Sequence, residues 1–317
     1  MWKPKRILAA ACLLGALTGA HASTTTELVV PFAPGGAADN FGRLLAQELS
    51  QETNNQVIVV NRPGAGGGIG AASVARAEPD GKTIFLGTIS THAINPSLYP
   101  NLNYDPVADF VPVAKVLALP NVLVVSGKSD ITSVADLVEL AKTKDFSFGS
   151  PGNGTTSHLA AELMKQIRPD MKIQHVPYKG TAPAITDLLG GHLDLQFDNI
   201  STLLPHINAG TLRALAVFSN EPSELLPEVQ PLSKQGFEGF EITSWFGLWL
   251  PKGATQETVD TLNKQLASLY AKPEFIQKLK NAGITPSYMP GAPFVEFVAN
   301  EQQKWADVVK KANIQLQ

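Results

Sequence analysis

The segment "LVVPFAPGGAADNFGRLLAQEL", Leu28 to Leu49, carries an apolar run into an amphipathic one through Pro-Gly-Gly. A short apolar run bounded by turn residues reads as a strand, and Phe41, Leu44, Leu45 and Leu49 share one helical stripe. The unit is strand–turn–helix, and the chain repeats it. "QVIVVN" leads through "RPGAGGGIG" into the small-residue helix "IGAASVARA", and "KTIFLGT" is a third strand. A second round starts near Asn121 with the strands "NVLVVS" and "FSFGS" and the helix "TTSHLAAELMKQI". It continues through "KIQHVPY", "TAPAITDLLGG", "LDLQFDN", "ISTLLPHINAG" and "LRALAVFS". Strands alternating with helices predict an α/β protein with a largely parallel sheet.

A chain of 317 residues suggests two lobes. Past "EITSWFGLWLP" the pattern gives helices over 255–271, about 273–282 and 293–311, which need a sheet to cover. The simplest path returns the chain to the first lobe, so two strands cross between lobes, near Val122–Ser126 and Ile242–Leu250. The expected division is a leader over 1–22, one lobe from 23–123 with 241–317, and a second lobe from 124–240. Two crossings imply a cleft and a hinge.

The first 22 residues are not read as fold. "MWKPKR" is a basic stretch, "ILAAACLLGALTGA" is apolar, and "AHA" before Ser23 has the small-residue spacing of a signal-peptide cleavage site. The apolar run is short against the ~20 residues of a membrane span. Lipoprotein processing at Cys12 is disfavoured because Ala9-Ala10-Ala11 lacks the usual leucine. Cleavage after Ala22 would remove Cys12, the single cysteine, leaving a chain held by its core rather than by disulfides. Loss of Lys3, Lys5 and Arg6 would take the net charge from −3 to about −6. No basic stripe with interleaved aromatics is present, so nucleic acid is not an expected partner.

Several motifs imitate chemistry. "GGGIGA", Gly66–Ala71, fits the dinucleotide fingerprint, but the next strand ends in "FLGTIS" where an acidic residue is needed. "GKT" at Gly81 and "GKS" at Gly127 lack the upstream glycine of a phosphate loop. There is no G-x-S-x-G elbow and no H-E-x-x-H, and the six histidines are scattered, so neither metal nor cofactor is expected.

Three strand ends carry donor-rich turns instead. "PFAPGGAAD" offers Gly35 and Gly36, with Asp39 as a cap for a helix from Asn40 onward. "GSPGNGTTSHLAAEL" repeats the design with Gly152, Gly154, Thr155, Thr156 and Ser157, and "GTISTHAIN" presents Ser90, Thr91 and His92. Free amides at helix starts favour anions, and hydroxyls suit carboxylate oxygens. A plain turn or helix cap explains any one of these; the three together point to an anion cleft shared by two lobes. Arg43 and Arg62 are expected to pair with acidic neighbours rather than with a ligand.

These motifs, with "VVNRPGAGGGIGA", "INPSLYPNLNYDPVADFVPV", "VPYKGTAPAITDLLGGHLDLQFDN" and "SWFGLWLP", resemble the Bug-type substrate-binding proteins of tripartite tricarboxylate transporters, in order from about Thr26 to Gln317. The resemblance implies a periplasmic, non-catalytic, monomeric receptor with the type II periplasmic-binding-protein fold. Its two lobes would close like a Venus flytrap over a di- or tricarboxylate, acidic amino acid or aromatic acid, and its partner would be a membrane transporter. Carried onto this chain, the ligand's carboxylate would be gripped by Phe32, Gly35, Gly36 and Asp39, and by Ser150, Gly154, Thr155, Thr156 and Ser157. Ser90, Thr91, His92, Tyr178 and Asp198 would meet the rest of the ligand, with Asp198 alternatively a cap for a helix near Ser201. "DGKT" departs from the family's usual aromatic at Lys82. The competing reading is an exported hydrolase with Ser or Thr of the second loop as nucleophile and His92 or His158 as base.

Overall fold

The computed structural model describes residues 25–311 and 313–314; the leader expected over residues 1–22 lies outside them. The first half-sheet is built from β1 (Thr26–Val30), α1 (Ala37–Thr53), β2 (Val57–Asn61), α2 (Gly68–Ala75), β3 (Thr83–Thr88) and the short α3 (Asn95–Leu98). β4 (Phe110–Ser126) leads into α4 (Val134–Ala141), β5 (Phe146–Ser150), α5 (Thr156–Ile167), β6 (Ile173–Pro177), α6 (Thr181–Gly190), β7 (Leu195–Asn199), α7 (Ile200–Asn208) and β8 (Leu212–Val217). The chain closes with β9 (Thr243–Pro251), α8 (Gln256–Tyr270), α9 (Pro273–Asn281), β10 (Thr285–Pro290) and α10 (Ala292–Lys311).

The strand order is β2-β1-β3-β9-β4-β7-β5-β6, with β8 and β10 also paired to β4. β1, β2 and β3 are parallel, as are β5, β6 and β7. β9, β4, β10 and β8 run antiparallel to their partners, so the sheet is mixed rather than largely parallel. The reason is β4. Its first part, Phe110–Pro120, pairs with β9, while Asn121–Val125 pairs with β7. One long strand thus leaves the first half-sheet and enters the second at the Pro120–Asn121 step. The return passes through Ile242, whose amide still bonds to Phe218 of the second half, whereas all of β9 pairs in the first.

Pro112 and Pro120 disguise the first part of β4, because proline reads as a strand breaker. Pro112 is tolerated where the register against β9 shifts. β10, "TPSYMP", hides for the same reason and pairs only with β4, which spares its prolines a second ladder. α4 also escapes the periodic reading, although Ser133 caps it by accepting from the Asp136 amide.

Leu28, Val30, Phe41, Leu45 and Leu86 pack with Leu262, Leu266 and Phe275 of α8 and α9, so the C-terminal helices do cover the first half-sheet. A second core runs through the crossing, from Phe85 and Trp249 to Leu123, Phe148 and Leu159. Every loop expected to bind lies at a strand's carboxyl end, facing the seam between the halves.

Candidate ligand-binding site

The two glycines of the first turn do different work. Gly35 has φ +86°, a left-handed conformation that favours glycine. Gly36 has φ −90° and ψ 175°, which any residue adopts, so its bareness serves space instead. A side-chain carbon there would sit 3.3 Å from Thr181 Oγ1 of the opposite half. Gly36, not Asp39, is the N-cap of α1, which starts at Ala37. Asp39 is one turn in and its carboxylate faces back, accepting from the Gly35 amide at 3.0 Å, Arg43 Nε at 2.9 Å and Asn61 Nδ2 at 2.9 Å. Burial would raise its pKa, but these bonds outweigh it and hold the carboxyl below its usual range. Arg43 is therefore spent on Asp39, as expected; Arg62 forms no ion pair among the described residues.

Thr155 caps α5, its hydroxyl accepting from the His158 amide. Thr156 Oγ1 accepts from Asn121 Nδ2 at 3.1 Å, and lies 2.6 Å from Ser244 Oγ, which donates to Asn121 Oδ1 at 3.1 Å. Since the Ser244 proton goes to Asn121, Thr156 must be the donor to Ser244. The three side chains form a closed ring joining α5 to both crossing strands.

These elements line a cavity of about 40 Å³ at the seam, room for a few waters. Its lining includes Phe32, Gly36, Ser90, Thr155, Thr156 and Ser157 from the predicted set. Sequence reasoning missed Thr88, Thr181, Asn199, Ser244 and Phe246, which also line it. Thr181 and Asn199 open helices after β6 and β7, a signal available from the same strand–turn–helix grammar but not applied there. The N-termini of α1, α5, α6 and α7 all reach this cavity, and among the described residues no charged side chain lines it. A larger open groove of about 360 Å³ lies at the amino ends of β1 and β2, where parallel sheets do not hold ligands.

The remaining predicted residues lie outside the lining, each for a visible reason. Thr91 is buried, bonding Thr88 N and O at the end of β3. His92 is fully buried, stacked on Trp249 with ring centroids 3.7 Å apart, and burial lowers its pKa to about 3. Gly35 lends its amide to Asp39, and the Gly154 amide donates to His158 Nδ1 at 3.3 Å. Tyr178 turns outward to donate to Asp187 at 2.5 Å. Asp198 is buried behind the cavity, accepting from Asn199 N at 2.7 Å and Gln196 Nε2 at 3.2 Å. It does not cap a helix near Ser201; α7 starts at Ile200 with Asn199 as N-cap. Burial raises its pKa to about 6, with the Asn199 amide, Thr181 and Gln196 pulling the other way.

Ser150 Oγ lies 2.6 Å from His175 Nε2, the kind of pair a hydrolase would use. Ser150 is 0% exposed and off the cavity, and His175 is sandwiched between Phe148 and His158 with no carboxylate bonded to it. Burial foremost lowers His158 to about 4 and His175 to about 3. His92 Nδ1 is taken up by Thr91 Oγ1 at 2.9 Å and His158 Nδ1 by the Gly154 amide, so neither proposed base is paired with a Ser or Thr of the second loop. The arrangement orders the turn, with the Ser150 hydroxyl accepting from the Gly152 amide and Thr155 donating to the Gly152 carbonyl.

Comparison with known proteins supplies the family. The profile described as the tripartite tricarboxylate transporter family receptor matches residues 41–314. The chain belongs to this receptor family. It is 34% identical to Protein BugT of Bordetella pertussis over 293 residues, 92% of this chain and 90% of BugT. The receptor also superposes on the structure of R. palustris Rpa4515 with adipate at TM-score 0.88 and 35% identity, covering 92% of this chain and 98% of the other. MatC (Rpa3494) of Rhodopseudomonas palustris with bound malate gives TM-score 0.83 and 28% identity, covering 90% and 98%. The fold is thus the two-lobed α/β fold of periplasmic binding proteins of this type, as the sequence motifs implied.

Proposed function

We propose that this receptor works in the periplasm, closing two lobes over a small carboxylate and delivering it to the membrane subunits of a tripartite transporter. The observation that carries the reading is the convergence of four helix N-termini on one cavity that, among the described residues, no cationic side chain lines. Each terminus carries the equivalent of about half a positive charge and unpaired amides. Four of them suit an anion, with Ser90 and Ser157 contributing hydroxyls. The relatives solved with adipate and malate hold dicarboxylates, and we assign this chain the same chemical class. We take the lobes to divide at the Pro120–Asn121 step and near Ile242, a few residues from the 123/124 and 240/241 boundaries read from the sequence, and the receptor to act as a monomer.

Calorimetric titration with malate, adipate and succinate, beside the neutral diamide of succinate, tests this. Binding by an acid and none by the diamide is expected. Equal affinity for the diamide, or silence from every carboxylate in a wider panel, refutes an anion site. Mass spectrometry of ligand carried from the native host should return an unaltered acid.

A further inference from the structure

The glycine run that imitates a dinucleotide loop lines none of the cavity, yet the second lobe packs directly against the first at this run. We propose that Gly66 is the seat on which the Gly152–Gly154 turn docks when the lobes close, so that ligand affinity depends on a residue that never touches ligand.

A side-chain carbon on Gly66 would fall far inside contact distance of the Asn153 carbonyl oxygen, a backbone atom that cannot rotate away. Reciprocally, one on Gly154 would collide with Asn95 Oδ1 and lie 3.2 Å from Tyr99 and 3.3 Å from Leu98. Two hydrogen bonds fix the seat. Asn95 Nδ2 donates to the Gly66 carbonyl at 3.1 Å, and the Tyr99 hydroxyl donates to the Asn153 carbonyl at 3.1 Å. Thr155, the residue after the docking turn, caps α5 and lines the cavity. The turn that lands on Gly66 therefore also presents the α5 amides. Across the cleft mouth, the Ala33 amide donates to the Lys179 carbonyl at 3.1 Å. The effect on ligand rests on the receptor reading; closure itself is tested without ligand.

Ala33→Cys with Gly180→Cys, in a Cys12→Ser background, puts two thiols across the far side of the mouth. A side-chain carbon on Gly180 would be 2.9 Å from Ala33 Cβ, so a shift of roughly 1 Å reaches disulfide geometry in the closed form. The oxidation rate of this pair reports closure. Adding Gly66→Ala should slow it about tenfold or more, the size of effect that overpacking gives. Gly191→Ala is the control: its backbone is equally left-handed, φ +77° against +57°, but its surroundings are empty. It should leave the rate within about twofold, and Tyr99→Phe should slow it about two- to tenfold. Equal rates for Gly66→Ala and Gly191→Ala overturn the seat. If Gly66→Ala does not fold, an unchanged rate in Tyr99→Phe overturns it instead. Adipate and malate added to the parent pair test the receptor reading separately: acceleration supports it, and none counts against it while the comparison among variants stands.

Discussion

Asp198→Asn should make this protein more stable at pH 8 and confer little advantage near pH 4. Asp198 is 0% exposed, and its carboxyl is raised from 3.8 to about 6, chiefly by burial. A group with a raised pKa stabilises the fold in its protonated form; that contribution is complete below about 4 and is lost as pH rises through about 6. Above pH 7 the buried ion therefore costs the fold about 3 kcal/mol, taking about 1.4 kcal/mol per pH unit between the two values. Asparagine has the same shape and can still accept from the Asn199 amide. Its new NH₂ would meet the Gln196 Nε2 donor; a flip of the Gln196 amide lets the unpartnered Oε1 accept from it, at the cost of taking Nε2 away from its acceptor. Allowing for imperfect relief, the expected gain is about 1–3 kcal/mol, or roughly 2–6 °C in melting temperature at pH 8. Urea denaturation of parent and variant from pH 4 to pH 8 measures it. Because Asp198 stands behind the cavity, the order of preference among carboxylates should not change. Equal stability at pH 8, or an advantage that grows toward acid, would refute the account of a strained buried ion.

The other expectations follow from the same geometry. Gly36→Asp places a carboxylate at a helix N-cap, where aspartate is favourable, so melting temperature should hold or rise. Carboxylate affinity should fall about a hundredfold or more through charge repulsion and crowding of Thr181; normal affinity in titration would sink the anion-loop reading. His158 and His175 are held neutral, at about 4 and about 3, against an ordinary value of 6.5. Their contribution to stability is present above pH 6.5 and lost as pH falls toward 4. In the Asp198→Asn background, which removes the opposing titration, stability should drop steadily over that window, and a flat profile would contradict the burial. Ser244→Ala opens the hydroxyl ring at α5 and should cost about 1–3 kcal/mol by thermal melting, since it leaves a buried Asn121 oxygen unmet.

How far the sequence could be read depended on whether a local pattern carried the information. The turn after β1 was legible because Pro-Gly-Gly between an apolar and an amphipathic run has few other solutions. α5 was legible for the same reason. β4 was not, since Pro112 and Pro120 look like breakers unless the shifted register against β9 is known. Within the site, residues next to the turn glycines were placed at the cavity, while Thr91, His92 and Asp198 were not. Their burial is set by Trp249 and the pairing of β4 with β7, partners that are distant in sequence. Ser244 and Phe246 were missed because β9 was read only as a crossing strand, when its first residues also line the cavity. Periodicity shows which way one element faces. It does not show which elements will meet.

The ring of Asn121, Thr156 and Ser244 sits where both strands pass from one lobe to the other. Displacement in a rotating pair of bodies grows with distance from the axis, so groups at a fulcrum barely move while the rim of the cleft travels furthest. A ring of bonds between 2.6 and 3.1 Å can therefore survive the whole swing. With every hydroxyl proton in it already committed, Thr156 has only its backbone amide left to offer. That amide keeps its aim in the open form as in the closed one. The receptor would then meet an arriving anion with part of its grip already set, and the moving rim would supply the remainder.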